Sequence, residues 1–158
     1  VFTSLLSNSM CAFSVVKLIS DGDVSPAVAT AFPESGVDIM LGIGGAPEGV
    51  LAAAALRCLG GEMQGRLVPM EEGELARAEK MGIKPVDKLL TMDDLVNGND
   101  VIFAATGITD GSLLRGVRYY AGKAATHTLV MRGTTGTVRF VEAHHRLDKK
   151  PFWESVQS

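Results

Sequence analysis

The chain has 158 residues, 46% of them hydrophobic, and a formal charge of -3, which suits one domain with a real core. No block of Lys and Arg forms a basic stripe, which argues against nucleic acid as a partner. No basic leader precedes an apolar run and no uninterrupted stretch of about 18 apolar residues occurs, so neither a signal peptide nor a membrane span is expected.

Cys11 and Cys58 have neither metal spacing nor the density of a disulfide scaffold, so a reducing cytoplasm is the expected compartment and Cys58 reads as core. Residues 14–19 read as a first strand, left through Ser20, Asp21, Gly22 and Asp23. Ser25 with Pro26 then predicts a helix running to about Phe32, where Pro33 and Gly36 break it. Residues 37–43 form a short apolar, β-rich run, and Gly42, Gly44 and Gly45 end it. Pro47 opens a second helix, rich in Ala and Leu, that Gly60 and Gly61 stop.

Two successive strand–helix units imply a parallel sheet with a ligand crevice at the strands' carboxyl ends, where Asp21, Asp23 and Glu48 gather. The glycine turn is chemically unusual. Ala46, before Pro47, has no side-chain oxygen to cap the helix, so its first amides and the positive end of its dipole are left for an anion. Glu48 in the same turn would repel a phosphate unless a cation lay between them. A divalent metal bridging the two resolves the conflict, and hard oxygen ligands favour magnesium or manganese. The plainer alternative is a tight turn in which Glu48 only complements the dipole. Asp21 and Asp23 can accept from sugar hydroxyls or support a metal, or can be turn and helix-start residues, and Gly22 lets a ligand approach the backbone.

Residues 62–69 read as a further strand; Glu71, Glu72 and Glu74 ahead of Arg77 and Lys80 describe a solvated helix, and Thr91 caps a short helix in which Asp93 and Asp94 complement the dipole. Residues 100–105 make an apolar strand entering a Thr- and Gly-rich loop at 106–112, expected to be a second rim of the same cleft. Residues 126–132 and 137–144 alternate as a β-hairpin around 133–136, with Arg132 and Arg139 as exposed strand charge. Adjacent His144 and His145 point to opposite faces of a strand and cannot readily share one ion. The expected fold is α/β: a mostly parallel, mixed sheet flanked by helices, with a carboxyl-terminal antiparallel hairpin.

SDGDV at 20–24, GIGGAPEGV at 42–50, GRL at 65–67, MGI at 81–83 and VIFAATGITDGSLLRGV at 101–117 together resemble the class II fructose-1,6-bisphosphatases of the lithium-sensitive, metal-dependent phosphatase clan. The resemblance covers roughly residues 15–148 and corresponds to those enzymes' carboxyl-terminal half, leaving residues 1–14 as an atypical segment and 149–158 as a tail. It implies that Glu48 is a ligand to Mn2+ or Mg2+, that Asp21, Gly22 and Asp23 contact the sugar bisphosphate, and that Gly45 meets it through its backbone. It further implies hydrolysis of the 1-phosphate of fructose 1,6-bisphosphate, acceptance of sedoheptulose 1,7-bisphosphate by some relatives, and a homo-oligomeric full-length enzyme. The half that brings most metal carboxylates is absent, so the chain is not expected to turn over substrate alone and should expose apolar surface. A rival reading is a non-catalytic nucleotide- or sugar-phosphate-binding module, since Glu62 follows Gly42 at the spacing of a ribose acid; Pro47 in place of the third glycine counts against it.

Overall fold

A computed structural model describes residues 15–19, 22–69, 73–83 and 87–150. Four helices precede a four-stranded sheet. Helix α1 spans Val24–Ala29 and α2 spans Ala46–Leu59. Helix α3 spans Glu74–Lys80 and α4 spans Met92–Leu95. The strands are β1 Ile102–Thr106, β2 Arg118–Tyr120, β3 Lys123–Arg132 and β4 Thr137–Arg146.

The sheet is antiparallel at every pairing, which corrects the expected parallel arrangement while leaving the α/β class intact. Long β3 is its axis: β4 lies along one edge, and β1 and β2 divide the other. Register puts Phe103 beside Met131 and Ala105 beside Leu129, and side chains of paired residues share a face. On that face Phe103, Leu129 and Met131 meet Val28 of α1 and Ala55 and Cys58 of α2 in the main core. The Ala-rich face of α2 is what allows the helix to approach so closely. Its other side packs Ala53 and Leu56 on Met92 of α4.

Helix ends follow local chemistry. Gly60 takes a left-handed φ of 75° and its N–H returns to the Leu56 carbonyl, ending α2 where the glycine pair predicts. The Thr91 N–H donates to Asp94 Oδ2 at 2.9 Å, so Asp94 does more than complement a dipole: it closes the start of α4.

Three expected strands are not formed. Residues 15–19 and 37–43 carry no strand pairing among the described residues, and 62–69 contribute only an isolated bridge between Gly65 and Leu90. Many of their apolar side chains stand in solvent, Val15 being 96% and Ile43 75% exposed, while Met63 packs against Ala53, Leu56 and Met92. A strand needs an edge to bind, and β propensity records only fitness for a pleated surface. Strands β1, β2 and β4 each keep one unpaired edge among the described residues, and none of these segments docks on it.

Candidate functional site

The first turn of α2 begins one residue earlier than the sequence suggests. Gly45 is the N-cap, with φ -67° and ψ 144°, Ala46 is the first helical residue and Pro47 the second. The substance of the argument survives, because glycine has no capping oxygen either and no side-chain cap is made. The Gly49 N–H donates to the Gly45 carbonyl at 3.0 Å and closes the turn. Glu48, third in the helix, folds back over its own cap: a methyl group built on Gly45 would strike Glu48 Oε2 and lie 3.1 Å from Cδ. This is the reach of a glutamate at that helical position.

Asp23, the residue ahead of α1, meets the same dipeptide. A methyl group on Gly44 would strike Asp23 Oδ2 and lie 2.9 Å from its Cγ. Two carboxylates therefore rest on consecutive glycines, whose Cα atoms are about 3.8 Å apart across a trans peptide. The structure sets Asp23 against Gly44 and Glu48 against Gly45, and Gly44 is a residue that the sequence marks only as part of a turn. Asp21 lies outside the described residues.

Gly22 has a left-handed φ of 85° and open space where a Cβ would be. It lines a cleft of about 520 Å³ with Ser25 on one side, Thr106, Thr109 and Ser112 on the other, and Val28 and Phe103 below. The loop after β1 thus shares a cleft with Gly22, but Asp23, Gly44, Gly45 and Glu48 are not among the residues lining it, so it is not shown to be a rim of the cleft expected around Glu48. Asp110 serves that loop internally, accepting from the Gly116 N–H at 2.9 Å, as ordinary turn chemistry predicts.

Several other ionisable groups are paired with one another or with neighbouring side chains. Arg132 donates to Asp100 at 3.0 Å and is strand-end charge. Arg115 pairs with Glu142 at 2.6 Å, and that guanidinium holds the Glu142 carboxyl below its ordinary range. The Arg115 N–H donates to His127 Nδ1 at 3.2 Å, and the His127 ring stacks on Phe140. His144 Nδ1 lies 2.6 Å from the Tyr120 hydroxyl, whereas His145 lies 3.0 Å from Thr126 Oγ1 on the opposite face. The two histidines divide between faces as adjacent strand residues must.

Glu48 fits as one hard oxygen donor at a helix terminus, but the chain's described residues do not complete a metal site. Among them no group of three or more His, Cys, Asp or Glu could hold an ion. Divalent cations of this kind take six or more oxygens, several from carboxylates or phosphate. Among the described residues no helix is long and apolar enough to cross a membrane.

Comparison with known proteins places this sequence in a family. Residues 5–145 match the family described as bacterial fructose-1,6-bisphosphatase, glpX-encoded. A protein of Synechococcus sp. (strain JA-2-3B'a(2-13)), named D-fructose 1,6-bisphosphatase class 2/sedoheptulose 1,7-bisphosphatase, is 48% identical over 146 residues, 84% of this chain and 42% of that protein. A protein of the same name from Microcystis aeruginosa (strain NIES-843 / IAM M-2473) is 44% identical over 149 residues, 87% of this chain and 43% of that protein. The chain spans under half the length of these curated relatives. By sequence and along most of its length, the chain belongs to the family of bacterial, glpX-encoded fructose-1,6-bisphosphatases.

Proposed function

We propose that the chain supplies the carboxyl-terminal half of a metal-dependent sugar bisphosphatase, over residues 15–148, that removes the 1-phosphate of fructose 1,6-bisphosphate. The observation that carries this reading is that the Asp23 and Glu48 carboxylates fill the Cβ spaces of two consecutive glycines, Gly44 and Gly45, at the uncapped start of α2. Glu48 contributes one ligand to Mn2+ or Mg2+. The bare amides beside it and the positive end of the helix favour the phosphate. Asp21, Gly22 and Asp23 hold the sugar by its hydroxyls, and Gly45 lets the substrate approach the backbone.

When bound, the metal polarises the phosphoryl oxygens and lowers the pKa of a bound water for in-line attack. The remaining carboxylates belong to polypeptide that this chain does not contain, so it does not turn over alone. The relatives' names extend the substrate reading to sedoheptulose 1,7-bisphosphate. Cytoplasmic location and homo-oligomeric assembly of the whole enzyme complete the proposal.

The test combines the purified chain with a separately expressed amino-terminal half of the Synechococcus relative, and measures phosphate released from fructose 1,6-bisphosphate with Mn2+. Activity should require both pieces, and Glu48→Gln should lower it at least about a hundredfold, the scale of losing a charge-stabilising group. Full activity of the chain alone overturns its dependence on a second half. Unchanged activity of Glu48→Gln overturns the site.

A further inference from the structure

Among the described glycines only Gly44 and Gly45 have a carboxylate where a Cβ would stand. Elsewhere the space meets backbone, as at Gly107, Gly116 and Gly133, or apolar side chains, as at Gly42, Gly49 and Gly61, or is open. Gly44 also lies outside the left-handed region that demands glycine, since its φ is not among the positive values. Its backbone would accept alanine. What the position requires is room.

We propose that Gly44 is a positioning residue for Asp23, keeping clear the space through which that carboxylate reaches the start of α2. This rests on the sugar bisphosphatase reading and adds to it a residue that neither contacts substrate nor binds metal. The link runs through a single rotamer. A methyl at position 44 lies 2.9 Å from Asp23 Cγ as well as against Oδ2. Rotating the carboxylate plane does not relieve it, and χ1 must move to another well. The atoms met are those of a short side chain and not backbone, so the displacement relocates the carboxylate without unfolding the chain. Glu48 rests on the neighbouring glycine and is left in place.

Gly42 supplies the control. A methyl there would lie 3.7 Å from Met40 Cε, an ordinary contact. In the full 158-residue chain, the χ1 of Asp23 is read from three-bond NMR couplings in the unaltered chain, Gly44→Ala and Gly42→Ala. For each, combined with the separately expressed amino-terminal half of the Synechococcus relative, steady-state phosphate release then gives the half-saturating Mn2+ concentration and the KM for fructose 1,6-bisphosphate.

Gly44→Ala should change the Asp23 rotamer, leave the half-saturating Mn2+ concentration within about twofold, and raise the KM for fructose 1,6-bisphosphate at least about tenfold, since small misplacements at a site carry such losses. Gly42→Ala should change none of the three. An unchanged Asp23 rotamer in Gly44→Ala overturns the inference, as does equal weakening of metal and sugar, which would mark a general loss of the turn. If the unaltered chain combined with that half releases no phosphate from the sugar bisphosphate, the phosphatase reading fails, and the rotamer comparison still decides whether Gly44 governs Asp23.

Discussion

Arg57 of α2 reaches α4, pairing with the carboxylate of Asp93 and donating to the Val96 carbonyl at 2.7 Å. The two contacts are unequal. Asp93 is 86% exposed on its side chain, and such pairs contribute about 0–1 kcal/mol. The carbonyl bond is sheltered and comes from a charged donor, worth about 1.5–3 kcal/mol. Arg57 Nε is buried without a hydrogen-bond partner, which offsets part of that gain. Arg57→Ala should therefore lower unfolding stability by about 1–2 kcal/mol, and Asp93→Ala by under about 1 kcal/mol. Urea midpoints of the two variants test the order, and equal losses would contradict it.

Asp94 makes stability depend on acid. A hydrogen bond from Lys88 is the largest cause, followed by those from Thr91, and together they lower its carboxyl from 3.8 to about 2. A folded-state value below the unfolded one gives a contribution present above pH 3.8 and lost as pH falls toward 2. Melting temperatures of the chain and Asp94→Asn, followed from pH 6 downward on an approximate scale, should differ at the start and converge in acid. A constant gap would mean that ionisation is not the source.

The sheet has one packed face and one bare face. Leu129 is fully buried in the core shared with α1 and α2, while Ile102, on the other face, is 66% exposed. Leu129→Ala should destabilise by about 2–5 kcal/mol. Ile102→Ala should change stability by no more than about 0.5 kcal/mol. Chemical denaturation of both variants measures the asymmetry directly.

Residues 15–19 and 37–43 expose strong strand formers, and unpaired β-prone segments recruit other chains. The purified chain should self-associate with rising concentration, read by light scattering. Ile39→Lys with Ile43→Lys should raise the monomer fraction several-fold, since charge on such segments blocks pairing. Association unchanged by the pair of lysines would place the contact elsewhere.

Features written in neighbouring residues were the ones legible in advance. The stop of α2 at Gly60, the cap at Thr91 and the hairpin around 133–136 each depend on a few adjacent residues. Pairing direction does not. Residues 37–43 have the composition of a buried strand, but whether they dock on an edge is decided by distant chain. Strand β2 was missed because Arg118, Tyr119 and Tyr120 are all exposed and show no alternation to detect. At the candidate site Glu48 was visible from the uncapped turn beside it. The seat of Asp23 on Gly44 was not, because it joins residues from two different turns, and a glycine gives no sign of what occupies the space it leaves.

Strands β3 and β4 stay in register over ten residue pairs around one tight turn. Contacts so close along the chain need little loop closure, and hairpins of this kind form in microseconds. The hairpin is thus suited to be the earliest ordered piece of the molecule, a template on which β1 and helices α1 and α2 later settle. Its amides would then exchange with deuterium last, and those at the start of α2 would open far more often.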